Sequence, residues 1–236
     1  MPRFKTSLIA LSASVLLPIL SLPAHATQYV TNGSFEATSL KAKGSFATTK
    51  GASNVTGWGG GGNLTFLDFP GTADDGSYLS VYGPFPTTSP DGGKFVEADG
   101  DPSYRGAITQ TINGLTPGQR YTLTFDQAAG QQAGFTGPTT ERWQVSFGTD
   151  MQLSSQFSLP QGGIGPWQQQ TMVFKASTAS QLLSFLASGT PNGAPPISFL
   201  DGISLTETVP EPVTLSLLGV GLAGTLAFRH RAKRPA

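Results

Sequence analysis

The chain of 236 residues contains no cysteine, which excludes a disulfide framework, a thiolate metal site and a cysteine nucleophile. Its two histidines, His25 and His230, both fall in the terminal segments. The long central part therefore cannot assemble a Ser-His-Asp triad, a Cys-His pair or an ordinary zinc site. Any catalysis there would rest on carboxylates, Tyr, Lys or Ser. Charge is scarce too, at 12% of residues, whereas Gly (30) and Pro (18), the residues of turns, are plentiful.

The two ends are unlike the middle. Arg3 and Lys5 precede an apolar stretch from Leu8 to Leu22, and Ala24-His25-Ala26 places small residues around a cleavage point. A positive start, a short apolar core and an A-x-A ending mark a secretory signal peptide over residues 1–26. Pro18, Pro23 and the shortness of the apolar run argue against a retained N-terminal anchor.

At the other end, Val213 to Phe228 is a run of 16 residues without a charge. As a helix it would span about 24 Å, slightly short of a hydrocarbon core of about 30 Å. Gly219, Gly221 and Gly224 are tolerated in such a membrane-spanning segment, here 213–228. Arg229, Arg231, Lys233 and Arg234 follow and would hold the C-terminus on the cytoplasmic side. Pro210 and Pro212 enforce an extended approach from the body.

The order of Val209-Pro210-Glu211-Pro212, a Leu/Gly-rich span and a basic cluster resembles the PEP-CTERM sorting signal of Gram-negative bacteria. The resemblance covers 209–236. It implies an exosortase, a transpeptidase-like membrane enzyme, as processing partner, and a final location at the cell surface or in an extracellular matrix. Val213 departs from the Ser or Ala frequent at that position. A plain C-terminal anchor that is never processed is the alternative reading.

Between these ends lies a body over 27–208. It holds 8 Lys and Arg against 13 Asp and Glu, so the body is acidic although the whole chain is formally neutral. An acidic exported body is a poor binder of polyanions, which argues against nucleic acid.

The body reads as all-β. "RYTLTFDQA" alternates Tyr121, Leu123 and Phe125 with Thr122, Thr124 and Asp126, and "WQVSF" repeats the pattern with Trp143, Val145 and Phe147. "NLTFLDF", "YLSVYG", "KFVEAD", "AITQTI", "QTMVFKA", "QLLSFLAS" and "ISFLDGISLTE" are further strand candidates, separated by Gly-containing turns. This pattern predicts a two-sheet antiparallel β-sandwich, a jelly roll. Lys41 to Gly62, rich in Gly, Ser, Thr and Lys, reads as a mobile loop.

"NGSFE" (Asn32 to Glu36), "VTGW" (Val55 to Trp58), "INGLTPGQRYTLTFDQA" and "FLDGISLTE" together resemble the galactose-binding-like jelly roll of many carbohydrate-binding modules. The resemblance implies a sandwich that displays a glycan-binding surface. It also implies a structural calcium ion held by Glu36 and Asp201, although Gly202 stands where a second Asp is frequent. Calcium takes oxygen ligands from distant segments, so the chemistry suits such a clamp. The alternative for Glu36 is a hydrogen bond to a neighbouring loop.

Sugar faces stack on exposed aromatic rings. Trp143 lies in strand phase with core residues and is expected inside. Trp58, in "TGWGGGG", is expected on an exposed loop, and Trp167 and Tyr104 complete the ligand-binding candidates, with Tyr78 and Tyr82 as further surface aromatics. "EADGDPSYRG" gathers Glu97, Asp99 and Asp101, and paired carboxylates can hydrolyse glycosides. The leading expectation is an exported, non-catalytic surface protein that binds polysaccharide. A carboxylate-dependent glycan hydrolase and a purely structural surface protein are the alternatives.

Overall fold

A computed structural model describes residues 26–49 and 52–208. The sorting segment 209–236 and the signal peptide up to residue 25 lie outside the described residues. Among the described residues all regular structure is β: β1 (Gly44–Ser45), β2 (Thr48–Thr49), β3 (Ala52–Ser53), β4 (Gly59–Gly60), β5 (Thr65–Asp68), β6 (Phe95–Asp99), β7 (Ile108–Asn113), β8 (Arg120–Gln131), β9 (Thr139–Phe147), β10 (Asp150–Leu153), β11 (Phe157–Leu159), β12 (Ile164–Lys175), β13 (Ser180–Thr190) and β14 (Pro196–Glu207). No helix there is long and apolar enough to cross a membrane.

The strands build two antiparallel sheets. The first runs β1-β5-β6-β14-β8-β12; the second runs β10-β9-β13-β7-β4, with β11 also pairing β9. The expected two-sheet sandwich is the fold. Alternation places Tyr121, Leu123 and Phe125 of β8 opposite Trp143, Val145 and Phe147 of β9 in the core between the sheets. Trp143 is 1% exposed, and its indole N–H donates to the Phe199 carbonyl of the facing sheet at 3.0 Å.

The first sheet is buried on both faces at β5, β6, the second half of β8 and the first half of β14, whereas β12 leaves its outer face exposed. Leu67, Val96 and Leu200 point into the sandwich, while their neighbours Phe66, Phe95 and Phe199 belong to a second apolar cluster. Ala73, Leu79, Val81 and Phe85, from the segment connecting β5 to β6, cover that outer face. Burying each large apolar side chain contributes about 1.5–3 kcal/mol, so this cover is an integral part of the body.

Two expectations are corrected here. "YLSVYG" is not a strand: Leu79 has φ 58°, which breaks an extended run, and the segment meets the sheet ladder only at the isolated Val81–Gln132 bridge. Its apolar residues are buried because they pack down onto the sheet. Nor is 41–62 a loose loop throughout. It carries β1 to β4, and Phe46, Val55 and Trp58 from it reach the core.

Candidate functional site

Of the aromatic candidates, Trp58 is the clear correction. It is 2% exposed, its indole N–H donates to the Asn32 carbonyl at 2.9 Å, and its ring packs 5.3 Å from Phe35 and 6.2 Å from Phe185. The glycines around it serve close packing, not display: a Cβ at Gly61 would lie 2.5 Å from the Phe46 carbonyl oxygen. No indole face is left for a sugar. Trp167 is half-buried in the outer-face cluster, 5.5 Å from Phe95 and 6.4 Å from Phe199, with its N–H buried and without a hydrogen-bond partner among the described residues. Tyr104 is exposed, and its backbone joins Asp101 and Leu64 in the loop after β6.

Asp201 lies in the middle of β14 opposite Asp126, and Glu36 meets Lys94 just ahead of β6. Glu36 accepts hydrogen bonds from the Lys94 backbone N–H (2.6 Å) and ammonium (2.7 Å). Asp201 is fully buried; one oxygen accepts the Ser89 hydroxyl, and the other has no partner among the described residues. Burial pushes its carboxyl up to about 8, against the Ser89 and Gly202 hydrogen bonds, and Asp91 and Glu36 raise it further. Gly202 forms the bulge that follows in β14, with φ 59°; a Cβ there would lie 2.8 Å from an Asp126 oxygen. That contact is a physical reason for glycine where the resemblance led to a second Asp. As calcium donors the two residues fit poorly: Asp201 offers an orphaned oxygen, but Lys94 occupies both oxygens of Glu36. No group of three or more His, Cys, Asp or Glu among the described residues is placed to hold a metal ion.

Sequence reasoning missed the most highly charged buried site. The Lys43 ammonium lies 2.8 Å from Glu97 and 3.2 Å from Asp68, with both carboxylates fully buried, and it also donates to the Thr72 (3.2 Å) and Leu79 (3.4 Å) carbonyls. Burial alone would pull the lysine down, but Glu97 and Asp68 outweigh it and hold it raised. Burial pushes Asp68 up to about 6 despite Lys43, and burial with Asp68 alongside pushes Glu97 well above the usual carboxylate range. Strand phase could have shown Asp68 and Glu97 sharing a face of β5 and β6, but nothing in the spacing points to Lys43.

The acids of "EADGDPSYRG" do not line an open cleft. Glu97 is sealed under Lys43, Asp99 accepts the Asp101 N–H at 2.7 Å, and Asp101 caps the turn through Ser103 at 2.8 Å and binds the Gly193 N–H at 2.8 Å. A further buried acid, Glu141, lies on β9 in phase with the core residues Trp143 and Val145. Neither of its oxygens has a hydrogen-bond partner among the described residues, and burial pushes it up to about 8.

Among solved structures, TmCBM61 in complex with β-1,4-galactotriose is similar at 13% identity, covering 78% of this chain and 100% of that one, with a TM-score of 0.43. The CBM22-1–GH10 portion of Clostridium thermocellum endo-1,4-β-D-xylanase 10B, complexed with xylohexaose, is similar at 13% identity over 65% of this chain and 26% of that one, with a TM-score of 0.38. The K3 cleaved adhesin domain of Lys-gingipain from Porphyromonas gingivalis is similar at 14% identity over 64% and 90%, with a TM-score of 0.39. No curated protein matches the chain. The PEP-CTERM protein-sorting motif matches residues 208–232, beginning directly after β14 ends at Glu207, and marks an exported protein sorted to the cell surface. Residues 28–197 match the family described as "Protein of unknown function (DUF642)", and the chain belongs to that family.

Proposed function

We propose that this chain is an exosortase-processed surface or extracellular-matrix protein of a Gram-negative bacterium whose sandwich binds polysaccharide without catalysis. The observation that carries the reading is the sorting motif starting one residue beyond the last strand, so that the address begins where the folded body ends. Thr208 is still tied to the body, its N–H donating to the Arg120 carbonyl at 2.9 Å. Cutting near 209–212 would thus release an intact sandwich. A body without His or Cys and with surface-exposed Tyr78 and Tyr104 suits glycan contact better than chemistry. A hydrolase would need two carboxyls facing a common open cleft, and the Asp68–Glu97 pair is shut off from solvent.

Replacing Pro210, Glu211 and Pro212 together with Ala should keep the protein in the membrane fraction, because the apolar span 213–228 would remain attached. Release of that variant at the wild-type level would contradict processing at this motif. Release of reducing sugar from a polysaccharide panel by the wild-type protein would favour the hydrolase instead.

The calcium clamp between Glu36 and Asp201 belongs to the same proposal. Its one support is the unpartnered buried oxygen of Asp201, and the ion would have to take the place of Lys94 at Glu36. Calcium at 100 times its dissociation constant would stabilise the fold by about 2.7 kcal/mol. For a body of this size that is about 5–10 °C in Tm. An unchanged Tm on adding and chelating calcium would eliminate the site.

A further inference from the structure

The segment that covers the outer face of the first sheet carries one aromatic ring that it does not bury. Tyr78 is 68% exposed, the most exposed of the large hydrophobic side chains among the described residues, and its ring lies 5.5 Å from Phe66. Beneath it is a recess of about 310 Å³, lined by Lys43, Phe66, Thr72, Asp75 and Ser77 as well as Tyr78. That volume is at the small end of pockets that hold organic ligands, which combine an apolar wall with a few fixed polar groups.

We propose that this recess is a sugar-binding subsite for a neutral polysaccharide, with the Tyr78 ring as stacking platform and Asp75 as hydroxyl acceptor. The inference rests on the polysaccharide-binding reading above and gives it a location.

The recess is built and held in place. Lys43 donates to the backbone carbonyls of Thr72 and Leu79 on either side of Tyr78 while it is anchored by Glu97 and Asp68 in the sheet. A short turn adds to this: Asp75 accepts the Ser77 N–H at 2.8 Å, and the Gly76 N–H donates to the Ser80 hydroxyl at 3.0 Å. A platform fixed before binding loses less conformational freedom on contact, which favours affinity.

The charges select the ligand class. Lys43 is the cation of the recess, and its ammonium is already engaged by four oxygens, so it has no donor to spare for an anion. Asp75 is exposed, and the Ser77 hydroxyl and N–H hold its carboxyl below the usual range, so it is ionised at neutral pH. Sugar hydroxyls donate to such a carboxylate, whereas uronate or sulfate groups are repelled by it and by the acidic body.

The test is affinity electrophoresis of the mature exported protein through native gels containing soluble galactan, xylan or hydroxyethyl cellulose, with alginate as the anionic comparison. Wild type should be retarded in at least one neutral gel and run freely in alginate. Tyr78→Ala should weaken that retardation roughly tenfold or more in apparent Kd, the loss of one stacking ring. Tyr78→Phe should preserve it, and so should Met151→Ala, which removes an exposed apolar side chain on the other sheet. Retardation of Tyr78→Ala equal to wild type would overturn the location while leaving polysaccharide binding intact. Retardation of wild type in alginate alone would overturn the neutral-sugar assignment. Free migration of wild type in every gel would overturn the polysaccharide reading itself, and the subsite with it.

Discussion

Lys43→Met should lower the stability of the body by about 3–5 kcal/mol, the range for removing one partner of a buried ion pair. The lysine side chain is 8% exposed and the two carboxylates it serves are 0% exposed. Among the described residues neither carboxyl has a hydrogen-bond partner to replace it. Once it is gone, both acids must either keep a proton or carry an unpaired charge in the interior, and the backbone at Thr72 and Leu79 loses its donor. The loss should therefore grow as pH rises and the protons become harder to hold. Denaturant unfolding of the variant at pH 5 and pH 8 reads this directly. Adding Asp68→Asn and Glu97→Gln should restore much of the loss, because the orphaned charge is then absent. A Lys43→Met midpoint within about 1 kcal/mol of wild type would mean that the cluster is not the fastening of the outer cover.

Glu141→Gln should flatten the dependence of stability on pH. The folded carboxyl is raised from 4.5 to about 8 by burial, so between those values the unfolded chain has lost a proton that the folded chain keeps. Stability from this group is complete below about pH 4.5 and declines as pH rises through about 8. At about 1.4 kcal/mol for each pH unit, the whole interval sets a ceiling of about 5 kcal/mol. Asp201, raised from 3.8 to about 8, acts with the same sign. Glu141→Gln alone should thus remove part of the fall in Tm between pH 5 and pH 9, and Glu141→Gln with Asp201→Asn should remove more. A wild-type Tm that rises across this interval would contradict the burial of both acids without cationic partners.

The strands of the sandwich core were legible because each has one face in a single core. Tyr121, Leu123 and Phe125 announce their phase, as do Trp143, Val145 and Phe147, and the structure keeps both. Where a strand is buried on two sides its existence was still legible, since "NLTFLDF", "KFVEAD" and "ISFLDGISLTE" are β5, β6 and β14, but what covers its outer face was not. In β6, "FVEAD", every residue is buried, so alternation vanishes and the covering segment that causes it cannot be inferred. "YLSVYG" then imitates a strand because Leu79 and Val81 are buried by a cover and not by a ladder. The site was less legible for a related reason. The glycines around Trp58 signal a loop, but they also let the backbone come close enough to sink the indole. Lys43 meets Glu97 across more than fifty residues of chain, through a cover whose path no local pattern reveals. The aromatic left outside, Tyr78, was one of several surface candidates until the recess beneath it set it apart.

The proposed sorting to the surface or matrix depends on the protein leaving the cell with both ends removed. Intact-mass measurement of the protein recovered from the cell surface and medium tests that most directly. The expected species starts at Thr27 and ends between Thr208 and Pro212, without the apolar span or the basic cluster Arg229, Arg231, Lys233 and Arg234. Recovery of wild-type protein still carrying that basic tail would contradict it.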